Sequence, residues 1–94
     1  MSNKRYNILY VDDEENNLVV FKNAFFRDYN VHTALSAEEG LTILDQYLIH
    51  LIVTDQKMPG MTGVEFLEVV VKSHPETIRL ILTAYSDFDF IMRA

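Results

Sequence analysis

Cysteine is absent from this sequence, and glycine and proline are sparse, occurring three times and twice in 94 residues. Without cysteine there is neither a disulfide framework nor a thiolate metal site, a usage that suits a reducing cytosol. Positive charge is also scarce. Eight Lys and Arg against fourteen Asp and Glu leave a formal net charge of −6. That balance argues against direct binding to nucleic acid or to an anionic membrane, both of which need a basic patch. Long apolar runs are missing as well. No uncharged stretch reaches the ~20 residues that span a bilayer, and the polar start, Met1 to Asn7, leads into no signal-peptide core. The expectation is a cytoplasmic chain, neither secreted nor membrane-inserted. There is no repeat and no low-complexity tract. What is present is 49% hydrophobic and 23% charged residues, the profile of one small globular domain spanning residues 1–94.

Ile8-Leu9-Tyr10-Val11 is a short apolar run that stops at Asp12-Asp13-Glu14-Glu15, as a buried strand stops at a polar edge. From Asn16 the period changes. Leu18, Phe21 and Phe25, with Val20 and Ala24 beside them, predict a helix of about three turns reaching near Asp28. Val31, Thr33 and Leu35 alternate with polar neighbours after Asn30 and predict a second strand, near an edge. Ser36-Ala37-Glu38-Glu39 has the form of a capping box, and Leu41, Leu44 and Leu48 follow at helical spacing. Leu51-Ile52-Val53-Thr54 predicts a central third strand that runs into Asp55. Residues 56–63 hold two of the glycines and one proline and predict a loop. Phe66, Leu67, Val70 and Val71 mark the buried side of a third helix ending near Pro75. Ile78 to Leu82 predicts a fourth strand finishing at Thr83, and Ser86-Asp87-Phe88-Asp89 predicts the start of a fourth helix.

Alternating strands and helices imply an α/β fold, a doubly wound parallel sheet with right-handed crossovers. Ligands of such sheets sit beyond the carboxyl ends of the strands. Asp12 and Asp13 end the first strand, Asp55 ends the third and Thr83 the fourth, so the fold gathers three carboxylates in one place. Close carboxylates repel unless a cation neutralises them, and hard oxygen ligands suit Mg²⁺ or Mn²⁺ rather than zinc. Taken singly, Asp12 to Glu15 also read as an acidic first turn and Asp55 as a loop-opening residue. It is their joint placement that points to a site.

These residues resemble a known family. Ile8-Leu9-Tyr10-Val11-Asp12-Asp13-Glu14, the loop Asp55-Gln56-Lys57-Met58-Pro59-Gly60-Met61-Thr62-Gly63 and the strand Leu80-Ile81-Leu82-Thr83-Ala84 are similar, in order and separation, to the receiver domain of bacterial two-component response regulators. The resemblance implies a flavodoxin-like sheet of strand order 2-1-3-4. It implies that Asp55 is the phosphoacceptor, taking a phosphoryl group from the phosphohistidine of a sensor histidine kinase or phosphotransfer protein. Asp13, Asp55 and the backbone carbonyl of Lys57 would bind Mg²⁺ directly, and Asp12 through a water. The Thr83 hydroxyl and Ala84 amide would then contact the phosphoryl group, while Lys57 and Tyr85 either tune its lifetime or are ordinary loop surface. Such a domain is not an enzyme beyond its own aspartyl phosphorylation and dephosphorylation. Met58 and Met61 are expected to anchor the loop, and His32, His50 and His74 are too scattered to make a zinc site.

The resemblance covers the whole chain, whereas the chain covers about the first four fifths of a receiver. The family's fifth strand and fifth helix, and the lysine that pairs with the phosphoryl group, have no counterpart here; no lysine follows Lys72. The expectation is a domain incomplete at its C-terminus, with the fourth strand as an apolar edge prone to self-association. An alternative is a receiver-like dimerisation module without productive phosphotransfer. A third reading, an aspartyl phosphatase, requires a second aspartate two residues beyond the nucleophile, where this chain has Lys57.

Overall fold

The computed structural model describes residues 6–83, which form four strands and three helices in strict alternation. They are β1 (Asn7–Val11), α1 (Glu15–Phe25), β2 (Asn30–Ala34), α2 (Ala37–Gln46), β3 (Leu51–Asp55), α3 (Gly63–Ser73) and β4 (Ile78–Leu82). All pairings are parallel and the strand order is β2-β1-β3-β4. This is the doubly wound order expected from the sequence, with β3 central and β2 at one edge. The expected fourth helix, from Ser86, lies outside the described residues.

Each strand's alternation divides its side chains between two layers. Leu9 and Val11 of β1 and Ile52 of β3 face one way, where they pack with Leu44 of α2 and Phe66 and Val70 of α3. Phe66, Leu9, Ile52, Val11 and Val70 have no exposed surface. Ile8, Tyr10 and Val53 face the other way, against Leu18 of α1 and the half-buried Phe21 and Tyr29. That second layer is thinner.

β4 shows the asymmetry most clearly. Ile78, Leu80 and Leu82 are 63, 51 and 49% exposed, while Arg79 and Ile81 are half-buried. A groove of about 670 Å³, lined by Ile8, Phe21, Phe25, Val53 and Leu80 among others, runs along this side.

Several local expectations are corrected. α1 ends at Phe25, not near Asp28, and Val20 and Ala24 point to solvent because only the Leu18–Phe21 stripe meets the sheet. β2 stops at Ala34; Leu35 is exposed, since the chain already turns into α2 there. Leu48 lies beyond the end of α2 and is 75% exposed, and Val71 of α3 is 39% exposed. The Ser36 box is only half formed. Ser36 Oγ accepts from the Glu39 amide, but Glu39 reaches past Ser36 to accept from the Leu35 amide at 2.9 Å. A complete box occurs one helix later, where Thr62 and Glu65 satisfy each other's amides. The Thr62 hydrogen bonds, its backbone amide foremost, hold the Glu65 carboxyl below its ordinary range.

Candidate functional site

Register brings the acids together. Val11 pairs with Thr54 across the β1–β3 ladder, so one further step sets Asp12 beside Asp55. Asp55 pairs in turn with Leu82, which puts Thr83 at the same edge one residue on. One carboxylate oxygen each from Asp12, Asp13 and Asp55 lie within 4.8 Å of one another. Asp12 is 2% exposed, Asp55 half-buried and Asp13 exposed, so the cluster grades from interior to solvent. Among the described residues it is the sole grouping of three such ligand atoms.

Asp12 is fixed from several sides. Tyr10 Oη donates to its Oδ2 at 2.7 Å, Asn17 Nδ2 donates to the same oxygen at 3.0 Å, and the Glu14 amide donates to Oδ1 at 3.0 Å. The Tyr10 contact follows from strand geometry, because residues two apart in extended chain share a face and Asp12 directly continues β1. Burial raises the Tyr10 phenol well above its ordinary pKa, helped by the hydrogen bond to Asp12 and by the charges of Asp12, Asp55 and Glu14. The phenol therefore stays protonated and donates. Its ring stacks on Phe21 with centroids 4.3 Å apart.

The β3–α3 loop positions Asp55. The Gln56 amide donates to Asp55 Oδ1 at 2.9 Å, and the buried Gln56 Oε1 accepts from the Val64 amide at 2.9 Å. The Gly63 amide closes onto the Gln56 carbonyl at 3.0 Å. A Cβ at Gly63 would sit 2.4 Å from the Asp55 carbonyl oxygen, so only glycine lets the helix start this close to the strand end. Met58 is buried in the layer under α3, and Met61 packs against that layer, as expected of loop anchors. Lys57 is exposed two residues past Asp55, and Thr83 is half-buried. Ala84 and Tyr85 lie outside the described residues.

The residues present fit a divalent cation. All three side-chain donors are carboxylate oxygens, the hard set that Mg²⁺ prefers, with no nitrogen or sulfur ligand among them. Sequence reasoning missed Tyr10, Asn17 and Gln56 as supports. The signal for Tyr10 was its position two residues before Asp12 on one strand; for Gln56 and Asn17, whose partners are set by tertiary placement, there was none.

Residues 8–94 match the response regulator receiver domain family. The hydrogenase transcriptional regulatory protein HoxA of Cupriavidus necator is 36% identical over 92 residues, which cover 98% of this chain and 19% of that protein. Sporulation initiation phosphotransferase F of Bacillus subtilis is 33% identical, with 93% of this chain and 71% of the relative covered. The solved structure of the response regulator TrrA from Thermotoga maritima in complex with Mg²⁺-BeF superposes with a TM-score of 0.81 at 32% identity, over 88% of this chain and 73% of that one. The chain thus spans under a fifth of the two HoxA proteins and about three quarters of the probable chemotaxis protein CheY of Rhizobium etli.

Proposed function

This chain belongs to the response regulator receiver domain family, and from that premise we propose that it accepts a phosphoryl group on Asp55 from the phosphohistidine of a sensor histidine kinase or phosphotransfer protein, with Mg²⁺ or Mn²⁺ bound. The observation that carries this reading is the convergence of Asp12, Asp13 and Asp55 at one strand edge. Asp13, Asp55 and the Lys57 carbonyl would hold the cation, with Asp12 acting through a water. A cation there neutralises the carboxylates and offsets charge on the equatorial phosphoryl oxygens.

The chain's own contribution is positioning. A carboxylate oxygen of Asp55 forms the new O–P bond in line as the P–N bond to the donor imidazole breaks. The imidazole nitrogen keeps the electron pair and is protonated from solvent, leaving an acyl phosphate on Asp55. The Gln56 amide and the Gly63 closure keep Asp55 from swinging away during approach. The Thr83 hydroxyl would then hydrogen-bond the phosphoryl oxygens, and Lys57 would bear on how long the group survives. A cytoplasmic place in a phosphorelay suits this chemistry, and no helix among the described residues is long and apolar enough to cross a membrane.

Incubation with acetyl phosphate and Mg²⁺, read by intact mass, tests the assignment. One phosphoryl adduct is expected on wild type and none on Asp55→Asn. No adduct on wild type, or one that persists in the variant, contradicts it.

A second reading, self-association through β4, is favoured by the exposed Ile78, Leu80 and Leu82 on an edge strand. Light scattering should show mass rising with concentration; a monodisperse monomer with exchange-protected β4 amides opposes it.

A further inference from the structure

The hydrogen bonds to Asp12 are distributed unevenly between its two oxygens. A carboxylate oxygen has two lone-pair directions. Oδ2 receives two donors, Tyr10 Oη and Asn17 Nδ2, and is saturated; Oδ1 receives one, the Glu14 amide, and keeps a direction open. Packing does not demand this arrangement. A phenylalanine at position 10 would stack on Phe21 equally well, and Asn17 is exposed, so neither polar group serves the core. What the two groups do together is occupy one face of a buried carboxylate that borders the acidic cluster.

We propose that Tyr10 and Asn17 are specificity-determining positioning residues, which confine Asp12 to offering a single oxygen to the bound cation or its water and so favour Mg²⁺ over Ca²⁺. The inference rests on the metal-site reading given above. Mg²⁺ demands a compact octahedron and takes carboxylates through one oxygen, whereas Ca²⁺ takes six to eight ligands and gains from bidentate carboxylates. With Oδ2 blocked, Asp12 adds at most one oxygen to the coordination shell. A small octahedral ion that meets Asp12 through a water loses nothing by this, but a larger Ca²⁺, which would otherwise draw Asp12 in as a bidentate ligand, is denied its second oxygen. Saturated Oδ2 also stops the carboxylate from rotating toward a larger ion, since rotation would break two hydrogen bonds at a buried group.

Isothermal titration calorimetry of the full chain with MgCl₂ and, separately, CaCl₂ reads the effect as the ratio of the two dissociation constants. Tyr10→Phe and Asn17→Ala should each shift that ratio toward Ca²⁺ by about fivefold, the equivalent of one hydrogen bond released for coordination. Wild type that binds Mg²⁺, with a ratio unmoved in both variants, overturns this inference alone. Parallel weakening of both cations also overturns it, because that is the behaviour of a purely structural support. Should Tyr10→Phe fail to fold, Asn17→Ala at an exposed position decides the matter. A wild type that binds neither cation sinks the metal-site reading as well.

Discussion

On the α2/α3 side of the sheet Leu9, Val11, Ile52, Phe66 and Val70 are wholly shielded, while on the α1 side Ile78, Leu80 and Leu82 remain about half or more exposed. The strands contributing to the two sides have the same apolar alternation. The difference lies in cover, since among the described residues two helices pack on one side and α1, toward the β1–β2 end of the sheet, on the other. Strand pattern therefore decides which residues enter the sheet, and helix placement decides which of them become core. The acidic cluster stands at the end of the well-supported β1–β3 pair, with Tyr10 stacked on Phe21 beneath Asp12. Its geometry does not depend on the open surface of β4.

The largest expected effect tests the closed side. Phe66→Ala should cost about 3–5 kcal/mol in urea unfolding, because the layer around a fully buried ring cannot collapse onto the space left. A loss below about 1 kcal/mol would mean that this side is as adaptable as the open one. Gly63→Ala probes the join between closed side and site. Its Cβ meets the Asp55 carbonyl oxygen first, a backbone atom that cannot yield, and then Gln56 Cα and Oε1. We expect a destabilisation of about 1–3 kcal/mol together with slower labelling of Asp55 by acetyl phosphate. Unchanged labelling would separate the loop's closure from the chemistry. Smallest in stability is Leu80→Lys on the open side, expected within about 0.5 kcal/mol of wild type while reducing concentration-dependent association in light scattering. A loss matching that of Phe66→Ala would erase the distinction between the two sides.

Much of this is legible in the sequence. The alternation of strands and helices, the central place of β3 and the meeting of Asp12, Asp13 and Asp55 follow from short apolar runs and the acids at their ends, whereas the strand order, and with it the edge position of β4 among the described residues, comes from the resemblance to receiver domains. Side-chain exposure was less legible. Val20, Leu35, Leu48 and Val71 fit helical or strand periodicity yet lie at the margins of what the sheet covers. Periodicity assigns a residue to a face but does not say how far the facing layer extends. The capping motifs show the same limit. Ser36-x-x-Glu39 has the right letters but its glutamate finds the Leu35 amide, whereas Thr62-x-x-Glu65, in a stretch read as loop, closes fully. The supports of Asp12 escaped for a related reason, since hydrogen bonds at a buried carboxylate depend on ring stacking and helix entry that no linear pattern encodes.

The central claim is that this strand edge is a cation-dependent phosphoryl acceptor centred on Asp55. Borohydride reduction of the acetyl phosphate-treated chain converts an acyl phosphate to the corresponding alcohol, and peptide sequencing by mass spectrometry then locates it. The account predicts homoserine at position 55 alone, abolished when Mg²⁺ is chelated. Homoserine at position 12 or 13, or at 55 to the same extent without the cation, would contradict it.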